Sequence, residues 1–70
     1  MDILITNPAG ASAVVPLNDD RMHHTLLRIY GCAFESQTRA AIEARHRLDM
    51  GMTVEVKGWK FEPITDAEVA

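Results

Sequence analysis

Apolar and polar residues alternate most clearly in the last third of the chain, where residues 52–64 are MTVEVKGWKFEPI. Side chains two residues apart lie on the same face of a β-strand. Val54 and Val56 therefore lie on one face, and Trp59 and Phe61 lie on one face of the following segment. The pattern predicts two strands, each with one apolar face.

A two-residue turn at Lys57-Gly58 sets the register of this predicted hairpin. Gly58 supplies the positive φ that a tight hairpin turn needs. The turn places the aromatic residues opposite the valines and Glu55 opposite Lys60 on the polar face. A shift of one residue would reverse both faces, so the register is well specified. Pro63 lacks an N–H group and indicates a strand that ends or lies at a sheet edge.

The first 16 residues predict a second hairpin. Residues 2–6, DILIT, alternate like a strand, and residues 11–16 follow as its partner. Asn7-Pro8-Ala9-Gly10 between them is typical of a β-turn. Pro16 limits the second strand and indicates that it lies at a sheet edge.

A helix is predicted from about Asp20 to Tyr30. Asn18 and Asp19 offer acceptors for the first N–H groups, and Gly31 provides an end. Met22, Leu26 and Ile29 form one apolar stripe at helical spacing. The alternative is that residues 25–30, which are rich in β-forming residues, form a strand.

A second helix is predicted from about Gln37 to Met50, with Ser36 as N-cap and Gly51 at its end. Its charged positions recur every four residues, at Arg39, Glu43 and Arg47. The opposite side carries small or apolar residues, namely Ala40, Ala41, Ala44 and Leu48, with Ile42 flanking them. This side is expected to pack on the apolar face of the residue 52–64 hairpin.

These elements predict an α+β fold in the order ββααββ. A small antiparallel sheet, built from the N-terminal and C-terminal hairpins, packs against two helices in one domain spanning residues 1–70. The acidic tail 65–70 is expected to fray, with Thr65 and Glu68 as a possible cap of one helical turn. Because 70 residues build only a small core, we also expect a homodimer.

Charge and cysteine content narrow the functional classes. The net charge of −3 disfavours direct nucleic-acid binding, which normally uses a basic surface. Met1-Asp2 is acidic where a signal peptide would be basic, and no segment has the ~20 apolar residues that span a bilayer. With one cysteine and no internal disulfide, we expect a cytoplasmic protein of a bacterial cell that does not enter membranes.

Catalytic and metal-binding chemistry has little basis in the sequence. His23 and His24 are adjacent, so on a helix they point about 100° apart and cannot both ligate one ion as an i, i+4 pair would. His46 and Cys32 have no ligand spacing, and Cys32 is expected to be buried between the helices. No phosphate-binding loop or nucleophile motif is present. We therefore expect neither catalysis nor a metal or cofactor.

A protein-binding surface is the remaining hypothesis. An acidic domain without catalytic chemistry usually acts by presenting a surface to a protein partner. The candidate residues lie on the second helix and the outer hairpin face: Arg39, Glu43, His46, Arg47, Glu55, Lys57 and Lys60.

A winged-helix-like DNA-binding regulator is the alternative. Two helices followed by a hairpin would form part of that fold. Arg39, Arg45 and Arg47 would then lie on the recognition helix, and residues 52–62 would form the wing. A salt-dependent affinity for duplex DNA would test this interpretation.

The chain resembles small accessory proteins of bacteriophages and mobile elements, among them the anti-CRISPR inhibitors. The resemblance lies in size, acidity and a helix, RAAIEARHRLDMG, that leads into a TVEVKGWKF hairpin. It implies a stoichiometric inhibitor that blocks a host defence complex, such as a CRISPR effector, by occupying a binding surface. Acidic side chains such as Asp19, Asp20, Glu43 and Glu62 would then imitate phosphates.

Overall fold

The computed structural model describes residues 1–64 and has the predicted order of elements. These are β1 (Asp2–Thr6), β2 (Ser12–Pro16), α1 (Asp20–Tyr30), α2 (Glu35–Asp49), β3 (Val54–Val56) and β4 (Trp59–Ile64). The α+β prediction is confirmed, and the alternative of a strand at residues 25–30 is wrong. The predictions for the tail 65–70 lie outside the described residues.

The four strands form one antiparallel sheet in the order β2-β1-β4-β3. β1 and β4 are the central strands and join the two hairpins, with Ile5 opposite Phe61. Both helices pack on the face that carries these two residues; α1 contacts β2, and α2 contacts β3 and β4. Residues 1–64 therefore form two layers, and within them no helix covers the second face of the sheet.

The β3–β4 hairpin has the register that the sequence predicts. Val56 pairs with Trp59, and Glu55 lies opposite Lys60. Lys57 and Gly58 have φ values of 49° and 84°, and two positive values in succession define the type I′ turn that suits a two-residue hairpin.

The ion pair on the polar face of this hairpin runs along β4 rather than across the strands. Lys60 Nζ lies 2.9 Å from Glu62 Oε1. The hydrogen bond and charge of Glu62 raise the pKa of Lys60, and the charge of Glu55 adds to this effect. Glu55 and Lys60 are thus cross-strand neighbours, as predicted, but Glu62 holds the ammonium group.

Within residues 1–64, each proline of the sheet lies where one side of its strand has no neighbouring strand. Pro16 ends β2, which is an edge strand as predicted. Pro63 pairs with Ile3 of β1, but β3 accompanies β4 only as far as Phe61. One side of β4 is therefore open at Pro63, where a missing N–H group costs no ladder hydrogen bond.

α1 has the predicted bounds because Asp19 caps its first turn. The Asp19 carboxylate accepts from the backbone N–H of Arg21 at 2.8 Å and pairs with the Arg21 guanidinium at 3.0 Å. These hydrogen bonds to Arg21 lower the pKa of Asp19. The predicted stripe of Met22, Leu26 and Ile29 is buried.

The predicted start of α2 is wrong, because the helix begins two residues earlier and Ser36 lies inside it. Phe34 is the N-cap residue and has no side-chain acceptor of its own. Instead, Gln37 Oε1 accepts from the backbone N–H groups of Ala33 and Phe34, both at 3.1 Å. A side chain from the first turn thus orders the segment before the helix, as in half of a capping box.

α2 ends at Asp49 in a Schellman motif that uses the predicted Gly51. Gly51 has φ 85°, and its N–H donates to Leu48 O at 3.0 Å. Met52 N–H donates to Arg47 O at 3.0 Å, which completes the paired bonds of the motif.

The core lies between the sheet and the helices. Its largest fully buried side chains are Phe61, Ile3, Met22, Leu26 and Leu48. Ala41 and Ala44 are buried as predicted, and such small residues allow close approach of the helix. The prediction that Cys32 is buried is wrong, since Cys32 is exposed; the short connection from α1 to α2 passes over the surface instead of through the core.

Candidate protein-binding surface

The predicted partner-binding residues lie on opposite sides of the two-layer molecule. Arg39, Glu43, His46 and Arg47 are exposed on the side of α2 that faces away from the sheet. Glu55 and Lys60 lie on the sheet face that no helix covers. The fold therefore brings the four helix residues together but separates them from the hairpin residues.

Lys57 has a contact within the fold. Its Nζ donates to the backbone carbonyl oxygen of Ile29 at 3.0 Å, in the last turn of α1. A positive charge at this end of a helix is favourable because the terminal carbonyl groups carry partial negative charge. Lys57 thus joins the β3–β4 turn to the end of α1.

We expect Lys57→Met to destabilise the domain by about 1 kcal/mol, since it keeps the aliphatic stem but removes the charge and the hydrogen bond. Urea unfolding at low ionic strength measures this difference. The matched control is Lys60→Met, which removes an exposed ion pair and should change stability much less, because solvent-exposed ion pairs contribute little. Equal losses in the two variants would contradict a structural role for the Lys57 contact.

A charged row follows α2 at every fourth residue. We define it as Glu35, Arg39, Glu43 and Arg47, and its charges alternate in sign and cancel. Arg39 pairs with Glu35 at 3.2 Å, whereas Glu43 and Arg47 form no ion pair within residues 1–64. The predicted ladder is therefore present as a pattern, but only its first pair is closed.

An uncharged row lies beside the charged one, and we call it the α2 ridge. Its members are also four residues apart: Phe34, Thr38, Ile42, His46 and Met50. Phe34 is 68% exposed, Ile42 55% and Met50 64%. Rows of this spacing are the ridges that interdigitate when two helices pack.

A shallow depression of about 300 Å³ runs beside the α2 ridge. Ile42 and His46 of the ridge form one side of it, and Leu17 lies at its base. A ridge with an adjoining groove is the surface shape against which a second helix can pack. The predicted residue His46 thus belongs to this surface together with Ile42, which the sequence placed only at the flank of the core.

A second groove, of about 280 Å³, lies at the other end of the helix layer. It opens between β2 and α1 and is lined mainly by apolar residues, including Ala13, Val15, Ile29 and Trp59. Arg28 and Thr25 of α1 supply polar groups at its wall. The groove exists because α1 leaves the β2 side of the sheet incompletely covered.

The three arginines of the DNA-binding alternative do not share one face of α2. At about 100° per residue, Arg45 points about 160° away from Arg47. Arg45 lines the depression with Asp49, and Arg39 is paired with Glu35. This alternative remains a prediction that a titration with duplex DNA tests.

Within residues 1–64, no group of three or more His, Cys, Asp or Glu side chains is arranged to hold a metal ion. His24 and His46 are exposed and His23 is half-buried. Neither helix in the described part of the chain is long and apolar enough to cross a membrane.

The fold and the α2 surface define a two-layer α+β domain with an exposed helix ridge. No protein-family model, curated protein or solved structure that was compared with the chain matches it significantly.

Sequence reasoning missed the apolar part of this surface. Phe34, Ile42 and Met50 follow one another at intervals of eight residues, so each points about 80° round the helix from the one before. That spacing is visible in the sequence. In a small domain, however, the same apolar residues are equally compatible with a buried helix face.

Proposed function

We propose that this chain is a non-enzymatic protein-binding module and that its α2 ridge packs against a helix of a partner protein. The supporting observation is the exposure of Ile42, with exposed Phe34 about 80° round the helix on one side of it and exposed Met50 about 80° round on the other. Large apolar side chains that line up on an exposed helix, with charged residues beside them, are typical of protein interfaces.

The charges around the ridge favour a protein partner over nucleic acid. The charged row alternates between Glu and Arg and has no net charge. A phosphate backbone would be attracted by the arginines and repelled equally by the glutamates. Because the row has no net charge, its long-range attraction is small, and binding should depend less on salt than binding to a nucleic acid would.

The proposal predicts that Ile42→Glu removes partner binding, because a carboxylate would be buried without a partner in the apolar contact. The tagged full-length chain is incubated with bacterial lysate, and the retained proteins are quantified by mass spectrometry. We expect one protein or complex to be enriched by the wild type and reduced at least about tenfold by Ile42→Glu.

The matched control is Ala9→Glu, which introduces the same charge in the exposed β1–β2 turn. It should retain the partner like the wild type. Equal retention by the Ile42 variant would contradict the use of the α2 ridge. Enrichment of no protein, together with tight binding to duplex DNA, would favour the DNA-binding alternative.

A narrower proposal, that the partner is a host defence complex, is supported by the resemblance to anti-CRISPR inhibitors. Bacteria with an active CRISPR system would express the chain and be infected with a phage that the system targets. Inhibition predicts that the wild type restores plaque formation and that Ile42→Glu does not. Unchanged plaque numbers with the wild type in that strain would contradict inhibition of its CRISPR system.

A further inference from the structure

The outer side of β2 is an open sheet edge whose hydrogen-bonding groups can be assigned. Leu17 N–H donates to Met1 O at 2.9 Å, and Asn7 N–H donates to Ala11 O at 2.8 Å. In an antiparallel pair, successive residues of a strand alternately face the neighbouring strand and point away from it. The odd-numbered residues of β2 therefore bond to β1, and the even-numbered ones direct their backbone groups outward.

As far as residues 1–64 are concerned, two residues supply the unpaired backbone groups of this edge. Ser12 and Val14 each direct one N–H and one C=O outward, while Pro16 has no N–H and its carbonyl oxygen accepts from Asp19 N at 3.1 Å. β2 also carries no charged side chain, although charged residues commonly protect edge strands from pairing. The edge is therefore a short, uncharged template with two donors and two acceptors.

We propose that two copies of this chain form a homodimer by antiparallel pairing of their β2 strands, with the two-fold axis at Ala13. Ser12 of each copy then exchanges two hydrogen bonds with Val14 of the other. The four resulting bonds use all the free groups of both edges. Centring the axis on Val14 would instead place Ser12 opposite Pro16, which has no N–H for the Ser12 carbonyl.

Side-chain size fits this register. Ala13 lies opposite its own copy in a non-hydrogen-bonded pair, where the Cα atoms are only about 4.5 Å apart. A small side chain suits that close approach. β2 of the other copy also extends the sheet beside the groove lined by Ala13, Val15 and Trp59. The pairing therefore covers part of the apolar groove surface that α1 leaves open.

The β2 pairing also determines how the two α1 helices lie relative to each other. α1 follows β2 and contacts it, and Thr25, Arg28 and Ile29 of α1 reach the groove near Ala11, at the start of β2. The helix therefore runs back along the strand, and antiparallel pairing makes the two α1 helices antiparallel. Arg28, which has no ion pair among residues 1–64, then approaches the first turn of the other α1, where Arg21 lies on the same side of the helix as Thr25 and Arg28 and is paired with Asp19.

The dimer is independent of the protein-binding proposal. α2 contacts β3 and β4, at the end of the sheet away from β2. Both α2 ridges therefore stay exposed at the two ends of an eight-stranded sheet. A dimer of this form presents two identical partner sites that point away from the axis.

Val14→Pro tests the interface because it removes one of the two outward N–H groups of the edge and leaves the hydrogen bonds between β1 and β2 intact. Sedimentation equilibrium of the full chain, from about 1 μM to about 1 mM, should give twice the chain mass of 7.8 kDa for the wild type at the upper end. The variant should remain at 7.8 kDa throughout. A wild type that stays monomeric over this range would overturn the proposal.

Glu55→Pro is the matched control at the other sheet edge. Val56 and Trp59 flank the two-residue turn and form a hydrogen-bonded pair, so Glu55 directs its N–H away from β4. This variant should dimerise like the wild type. Loss of the dimer with Glu55→Pro but not with Val14→Pro would assign the interface to β3 and overturn the proposal.

Disulfide formation tests the register without requiring a proline variant to fold. In a Cys32→Ser background, Ala13→Cys should form a covalent dimer under mild oxidation, because non-hydrogen-bonded pairs have Cα distances within the range that disulfides span. In this register Val14 lies opposite Ser12 of the other copy, so the two Val14 positions are two residues apart along the strands. Val14→Cys should therefore cross-link much more slowly. Faster cross-linking through Val14→Cys would overturn the register centred on Ala13.

Discussion

Phe61→Ala is expected to lower the melting temperature of the domain by about 15–30 °C. Phe61 is fully buried on central strand β4, between Ile5 of β1 and Val54 of β3. Truncating a buried Phe to Ala costs about 3–5 kcal/mol, and 1 kcal/mol shifts the midpoint of a domain of this size by about 4–8 °C. The whole domain is expected to have only about 3–10 kcal/mol of stability.

Circular dichroism melts at one fixed chain concentration measure this effect, since dimerisation would make the midpoint depend on concentration. The other phenylalanine provides the control. Phe34→Ala makes the same chemical change at a site that is 68% exposed and should alter stability by less than about 0.5 kcal/mol. Similar losses in the two variants would contradict the assignment of Phe61 to the core and Phe34 to the surface.

The contrast between the two phenylalanines shows what the sequence could predict. Phe61 belongs to a strand whose alternation, turn chemistry and cross-strand partners agree, so its burial and its register follow from local information. The bounds of β1 and α1 also follow from local information. A β-turn comes directly after β1, and the cap residue Asp19 comes directly before α1. Local agreement of several signals is what made these predictions correct.

The parts that sequence reasoning missed depend on contacts between distant segments. Lys57 lies 28 residues from its acceptor Ile29, and no local pattern indicates that pairing. The separation of Glu55 and Lys60 from the α2 surface depends on β4 pairing with β1, which places both helices on one sheet face. The exposure of Cys32 likewise depends on how the α1–α2 connection crosses the surface.

The α2 ridge illustrates a different limit. Its spacing is visible in the sequence, but the same apolar residues would suit a buried helix face equally well. The structure distinguishes the two because Ala41, Ala44 and Leu48 already fill the side of α2 against the core. The ridge then has no core to join, and the proposed partner contact is centred on Ile42.

The connection between the helices gives the second large effect: Gly31→Ala is expected to destabilise the domain by about 2–4 kcal/mol. Gly31 has φ 93° and ψ 165°, a backbone region that is essentially restricted to glycine, and occupying it with another residue costs about 1–3 kcal/mol. A Cβ there would lie 2.9 Å from Cδ and Nε2 of Gln37. Gln37 could move aside only by releasing Ala33 and Phe34, whose N–H groups it caps.

Urea unfolding of two further variants separates these causes. Gly10→Ala has a similar φ of 92° but no atom within 4 Å of the added Cβ, so it should cost only the backbone strain and less than Gly31→Ala. In a Gln37→Ala background the contact is absent, and Gly31→Ala should then cost less than it does in the wild type. If the cost of Gly31→Ala stays the same without the Gln37 side chain, backbone strain alone explains it, and Gly31 is not required to make room for the α2 cap.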